Sequence, residues 1–241
     1  GLLHGKILRR PHAHAIIKSI DATKALALPG VKSVVTSADL PELSGRPVDV
    51  AEGAPVNPRF LSNNVLASHK ALYKGHAIAG VAATSVHIAE KALSLIKVDY
   101  EVLKPVLDGK EAMEPGSPIL HDRLFHSEGE FFRAGGLKDD EDPSAPTNVA
   151  SHFVFEVGNQ EQGFKEADVV VEREFRTKPV HQGYIEPHSA TARWDHDGRV
   201  TVWGSSQGHF AIRDFTALVL GVPISQVKVV PMEVGGGFGG K

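Results

Sequence analysis

The sequence predicts an α/β (α+β) fold made of two units in tandem, and three observations carry that prediction. Over the first hundred residues, short runs rich in Val and Ile alternate with helix-like stretches. Between 103 and 150, Pro105, Pro115, Pro118, Pro143 and Pro146 together with Gly135 and Gly136 break every periodicity, the composition of a surface linker. From Asn148 onward, paired strands lead into a helix and a last strand that ends in glycine. At roughly 100–200 residues per domain, the 241 residues divide into units at 1–105 and 151–241 joined by 106–150.

In the first unit, Lys6–Arg10 and Ala15–Ile20 read as extended pieces meeting at Pro11. Asp21 is placed to cap a short helix, Ala22–Leu28, which Pro29-Gly30 ends. Val31–Thr36 is a strand, and Ser37–Asn64, rich in Pro, Gly and Asn, reads mostly as loop. Val65–Ala71 and His76–Ala83 are two further extended runs separated by Tyr73-Lys-Gly75. Ser85 opens a helix over Val86–Leu95 with Val86, Ala89 and Leu93 on one face, and Ile96–Val102 leaves as a strand.

The acidic run Asp139–Asp142 reads as a solvated loop within the linker. In the second unit, Phe153–Val157 alternates, Gln160–Ala167 is a short helix and Val169–Thr177 is a long strand. Ser189–Trp194 and Arg199–Trp203 form a hairpin about Asp195–Gly198. A helix over 210–220 stops at Gly221-Val-Pro, and the strand 227–234 delivers the chain to Gly235, Gly236, Gly237, Phe238, Gly239, Gly240 and Lys241. Glycines here allow positive φ and close approach of a ligand to backbone amides.

Composition narrows the function. A formal charge of −3 with 23% charged residues is ordinary for a globular protein and favours neither nucleic acid nor an anionic membrane. No run approaches the roughly 18 apolar residues of a membrane span, and the first residues lack the pattern of a secretory leader, so a cytoplasmic location is the expectation. The absence of cysteine removes disulfides, thiolate zinc, iron–sulfur ligation and a thiol nucleophile from these residues. By spacing, the glycine loop satisfies both a dinucleotide fingerprint, Gly235-x-Gly237-x-x-Gly240, and a P-loop lacking its final Ser/Thr, but each needs a helix directly afterwards. Lys241 is better read as shaping the loop than as gripping phosphate. His181, His188 and His209 match no metal-ligand spacing. Glu186 is open between a satisfied carboxylate and a support for the site, and His12 and His14 read as packing or surface groups.

Taken whole, GGGFGGK at 235–241 together with Gln207 in Val202–Phe210 resembles the molybdenum-binding large subunit of the xanthine dehydrogenase, aldehyde oxidase and aerobic carbon monoxide dehydrogenase family. The similarity extends to the His-x-x-x-x-Glu-Pro element at 181–187. It also covers Pro11-His-Ala-His-Ala15, Leu28–Lys32, Tyr73-x-Gly75 and Ile88–Leu93 with Val98–Glu101, which resemble the family's N-terminal hammerhead domain. The chain departs from relatives at Gly75-His76-Ala77-Ile78, where they often carry Gly-Glu/Gln-Pro-Val. Within the family, Phe175–Pro187 is most similar to carbon monoxide dehydrogenase-like and aromatic-acyl-CoA reductase-like large subunits.

The resemblance implies a hammerhead-like domain followed by the start of a molybdopterin-binding domain, in a fragment of an oxidoreductase that hydroxylates an aldehyde, aromatic heterocycle or carbon monoxide-like small molecule with water as oxygen source. It assigns Gln207, Gly208, Gly237, Phe238 and Gly239 to cofactor contact. The Gln207 amide would donate to an oxo group on the metal, and the Phe238 and Gly239 amides would hold its apical oxygen. It implies molybdopterin with molybdenum, plain or as the cytosine dinucleotide, absent from the fragment alone, and a catalytic glutamate base beyond Lys241. The partners it implies are an iron–sulfur subunit and an FAD-binding subunit in an oligomer. Two other readings stand beside it: a P-loop-like nucleotide-binding domain and a non-catalytic assembly module.

Overall fold

A computed structural model of the chain describes residues 1–9, 11–46, 48–50, 55–122, 127–128, 146–149, 151–152, 155 and 157–241. In the first unit these form β1 (His4–Arg9), β2 (Ala15–Asp21), α1 (Thr23–Leu26), β3 (Val31–Thr36), β4 (Val48–Asp49), β5 (Pro55–Val56), α2 (Pro58–Val65), β6 (Lys70–Ala71), β7 (Ala77–Ala83), α3 (Val86–Leu95) and β8 (Lys97–Val102). Two antiparallel three-stranded sheets result, ordered β1-β7-β3 and β6-β2-β8, with β4 and β5 as a separate pair.

Strand β7 explains why the unit holds together. Its odd positions Ala79, Val81 and Ala83 are buried with Ala25 of α1 and Ala89 and Ala92 of α3. Its even position Ile78 is buried with Ile17, Ala67 and Ala71 against the second sheet. Side chains that alternate across a strand thus feed two cores. Alanine on the helix side lets α1 and α3 approach closely. The turn into β3 requires glycine: Gly30 has φ +97, and a Cβ there would lie 2.7 Å from Ile88 Cδ1. His76 is fully buried and stacks on Tyr73 at 4.4 Å. Its Nδ1 accepts from the Leu72 N–H and its Nε2 donates to the Asn63 carbonyl at 2.8 Å, so it ties β7 to the end of α2.

Several local expectations are corrected. Residues 37–64 are not mostly loop: Thr36 caps a 3₁₀ turn at Ser37–Asp39, and α2 occupies Pro58–Val65. The Asn57-Pro58 pair that reads as loop punctuation is a helix start, with Asn57 Oδ1 accepting the Phe60 N–H and Pro58 in the first turn. The extended run at 65–71 shrinks to Lys70–Ala71 because α2 reaches Val65. α1 is one turn, shorter than Ala22–Leu28, and Asp21 accepts the Thr23 N–H from just outside it.

The connecting residues contain α4 (Gly109–Met113), capped by Asp108, and a parallel contact of β9 (Ser127–Glu128) with β10 (Ser151–His152). The Asn148 side chain accepts from the Leu120 N–H and donates to the Ala112 and Pro118 carbonyls. The Lys70 ammonium binds the Ile119 and Leu120 carbonyls and Asp122, so this stretch is fastened to the first unit. Gly135-Gly136, the acidic run 139–142 and most of the predicted strand 153–157 lie outside the described residues. In the second unit, α5 (Gln160–Glu166) is followed by β11 (Ala190–Trp194), β12 (Val200–Gly204), α6 (His209–Leu220) and β13 (Val227–Pro231). Val169–Thr177 is not a strand, since no ladder partner for it lies among the described residues and Val169, Val171 and Phe175 are exposed. The last strand is shorter than 227–234, ending at Pro231.

Ile78→Ala is expected to lower unfolding stability by about 2–5 kcal/mol through loss of apolar burial plus the cavity left behind. Val102→Ala, at a position 59% exposed, is expected to change it by no more than about 0.5 kcal/mol. Denaturant titrations followed by circular dichroism measure both.

Candidate functional site

Strands β11 and β12 are the antiparallel hairpin, whereas β12 and β13 run parallel in register, Val200 opposite Val227 through Gly204 opposite Pro231. Parallel neighbours require a crossover, and α6 supplies it. Gly221, at φ 64, ends α6 in the left-handed conformation. The consequence is positional. Ser205–Gly208 leave the carboxyl end of β12, and 232–241 leave the carboxyl end of β13, on the same edge of one sheet. In open α/β sheets that edge is where ligands bind.

All five residues expected at the site meet there. The Gln207 N–H donates to the Lys241 carbonyl at 3.2 Å, and the Gly239 N–H donates to Gln207 Oε1 at 2.9 Å. Because Oε1 must face that donor, the Nε2 amino group is the part of the side chain left to donate elsewhere. The Gly239 amide, expected to hold an apical oxygen, is here engaged by Gln207. Gly208 is the N-cap of α6 and donates its N–H to Ser206 Oγ at 3.0 Å. Phe238 has φ 51, the only non-glycine with positive φ among the described residues, and is 73% exposed. A bulky side chain in that region costs roughly 1–2 kcal/mol, and such outliers cluster at ligand sites.

The loop glycines divide by what surrounds them. A Cβ on Gly237 would lie 2.5 Å from Gln207 Oε1, one on Gly235 2.8 Å from Glu186 Cβ, and one on Gly240 2.8 Å from Tyr184 Cε1. These three are demanded by the protein's own packing. Gly239, at φ +84, has open space around its missing Cβ. A cleft of about 320 Å³ lined by His188, Val202, Ser205, Ile212 and Val229 among others lies against the β11–β12–β13 sheet and includes no residue of the loop.

Electrostatics centre on Glu186. Its Oε1 accepts from Ser205 Oγ at 2.6 Å, and its Oε2 accepts from the Gly235 N–H and from the Lys241 ammonium. The Lys241 side chain is fully buried, also reaches Ser205 Oγ at 3.3 Å, and lies over the Tyr184 ring. Lys241 therefore turns inward to shape the loop, and the P-loop reading loses the lysine it needs for phosphate. His188 Nε2 donates to the Gly240 carbonyl at 2.8 Å, with Tyr184 OH 3.4 Å from its Nδ1. His181 Nδ1 accepts from the Gly183 N–H, and His209 begins α6. Ser205, Tyr184 and His188 support the loop through contacts that only the fold creates by bringing 184–188 against 235–241, and the His-x-x-x-x-Glu-Pro element is the one sequence signal pointing there.

Hydrogen bonds from Lys241, Ser205 and Gly235, in that order, hold the Glu186 carboxyl at about 2, below its ordinary 4.5. A carboxyl lowered on folding contributes stability that is fully present above about 4.5 and lost as pH falls through about 2. The Gly235 amide is therefore expected to stay protected from exchange at pH 4. Glu186 should titrate near 2 by NMR of its carboxyl carbon, and a midpoint near 4.5 would show the contacts are not formed.

Residues 1–104 match the family described as aldehyde oxidase and xanthine dehydrogenase, a/b hammerhead domain, and residues 141–241 match the family described as molybdopterin cofactor-binding domain. The chain is 34% identical over 257 residues to a probable hypoxanthine oxidase of Escherichia coli K12, covering 98% of this chain and 26% of that protein. It is 34% identical over 245 residues to the carbon monoxide dehydrogenase large chain of Afipia carboxidovorans, covering 100% of this chain and 28% of that protein. The crystal structure of quinoline 2-oxidoreductase from Pseudomonas putida 86 superposes with a TM-score of 0.77 at 29% identity, over 99% of this chain and 28% of that one. The chain thus spans about a quarter of the length of these two relatives. With both matches in the same order and the fold shared from end to end, the chain belongs to the family of molybdenum-binding large subunits of xanthine dehydrogenase, aldehyde oxidase and aerobic carbon monoxide dehydrogenase.

Proposed function

We propose that residues 1–105, 106–150 and 151–241 serve as the hammerhead-like domain, the connection and the first part of the cofactor-binding domain of a molybdenum hydroxylase-type large subunit. In this reading the edge formed by 205–208 and 235–241 holds molybdopterin. The observation that carries it is the parallel β12–β13 pairing, which sets Gln207 and the glycine loop side by side. The local chemistry fits such a group: Gln207 has a neutral donor turned outward that no pH change removes. Gly239 leaves open space beside it, and Phe238 holds a strained backbone and an exposed ring at the same place.

Bound there, molybdopterin with molybdenum supplies the redox chemistry that no side chain of this chain has, the oxidation of an aldehyde, aromatic heterocycle or carbon monoxide-like molecule with water as oxygen source. The chain's own residues bind and orient. Gln207 Nε2 would donate to the cofactor, Gly208 and Gly237 would line the place where it lies with Gly237 closed on its Cβ side by Gln207, Gly239 would permit close approach, and the Phe238 ring would limit water. Glu186 is a weak base, because three donors occupy its carboxylate and hold its pKa at about 2. In this reading the base is the glutamate beyond Lys241 that the family resemblance implies, and the 241 residues alone are expected to carry no cofactor and turn over nothing. Electrons would leave through iron–sulfur and FAD-binding partner subunits, and the pterin would be plain or the cytosine dinucleotide.

The test uses the full-length large subunit expressed with its partners. Molybdenum by mass spectrometry and pterin by fluorescence after oxidation are expected near one per protomer. Gln207→Ala should lower cofactor affinity by about 10–100-fold, the usual effect of removing an outer partner of a metal centre. A purified wild-type complex free of both molybdenum and pterin would overturn the proposal.

A further inference from the structure

We infer that Glu186 and Lys241 are a pair of positioning residues, which hold Gln207 and the 235–240 loop in one arrangement for the cofactor. The inference rests on the cofactor-binding reading above and concerns residues that touch neither the metal nor the pterin in that reading. Three segments far apart in sequence converge on this pair. Glu186 brings the 182–188 stretch, Ser205 brings the end of β12, and Gly235 with Lys241 brings both ends of the glycine loop.

The pair reaches Gln207 by two routes. Ser205, two residues before Gln207, donates to Glu186 Oε1 and accepts from Lys241 Nζ, which anchors the backbone on one side. Lys241 supplies the carbonyl that accepts the Gln207 N–H, which anchors it on the other. With the backbone held at both ends, Gln207 Oε1 meets the Gly239 N–H and its amino group is presented outward. The ammonium itself has no freedom to leave. It is wholly shielded from solvent, and its neighbours are the Glu186 carboxylate, the Ser205 hydroxyl and the Tyr184 ring face. A cation so enclosed must keep its partner, because an unpaired buried charge is strongly destabilising.

The pair also accounts for a glycine. Gly235 is packed so tightly on Glu186 that a Cβ would lie 3.0 Å from Oε2, the oxygen that accepts the Gly235 N–H. The glycine is therefore required by the contact with the carboxylate rather than by a ligand. A carboxylate and an ammonium committed in this way do no acid–base chemistry. Their effect on the site is geometric.

The experiment compares Lys241→Met, Glu186→Gln and the double variant in the full-length large subunit with its partners, reading molybdenum per protomer, the Mo(V) electron paramagnetic resonance spectrum and the melting temperature. A positioning pair is expected to show about tenfold weaker cofactor retention in each single variant. It should also give an altered Mo(V) signal in the molecules that keep the metal, and a double variant no worse than the more severe single one. If either single variant does not fold, Ser205→Ala keeps both charges, removes only the shared hydroxyl, and is expected to alter the same spectrum. Wild-type molybdenum content and spectrum in the folded variants, even with a lowered melting temperature, would reduce the pair to a structural ion pair and overturn the inference. Wild-type protein without molybdenum would instead overturn the cofactor reading itself.

Discussion

The parallel pairing of β12 with β13 is the constraint on which the candidate site depends. An antiparallel return would have put Ser205–Gly208 and 232–241 at opposite ends of the sheet, more than a strand length apart. Parallel pairing needs a long crossover, and α6, ended by a left-handed Gly221, is that crossover. Once the two strands lie in register, Gln207 and the glycine loop have no other place to be.

What settles the loop after that is polar. Glu186 and Lys241 form an ion pair whose ammonium is cut off from water, with Ser205 and the Gly235 amide completing the carboxylate's partners. Such a pair gains little stability over apolar packing but penalises every arrangement that separates its members. The loop's glycines then follow from neighbours: Gly235 yields to Glu186, Gly237 to Gln207 and Gly240 to Tyr184. A glycine-rich end that resembles a phosphate loop is thus largely a protein–protein packing surface, with Phe238 and Gly239 facing the open side.

The first unit shows the same economy with apolar groups. β7 serves two cores because alanines on one face admit helices and Ile78 on the other meets the second sheet. His76 is buried and satisfied internally by the Leu72 amide and the Asn63 carbonyl. Lys70 and Asn148 fasten the connecting residues by their polar ends, which composition alone reads as a loose linker.

The sequence by itself determined the mixed fold, β3, α3, α5, the 190–204 hairpin and α6. Each depends on signals within a few residues: periodicity, a Ser or Asn cap, or a stop at Gly221. It misjudged α2, where Asn57-Pro58 suits a helix start as well as a turn, and Val169–Thr177, whose β-branched residues find no ladder among the described residues. Only the tertiary structure decided that Glu186 has three donors, that Lys241 is buried against it and that the Gly239 amide meets Gln207. Those facts depend on contacts spanning 19 to 55 residues, and no local pattern encodes a distance across a sheet edge.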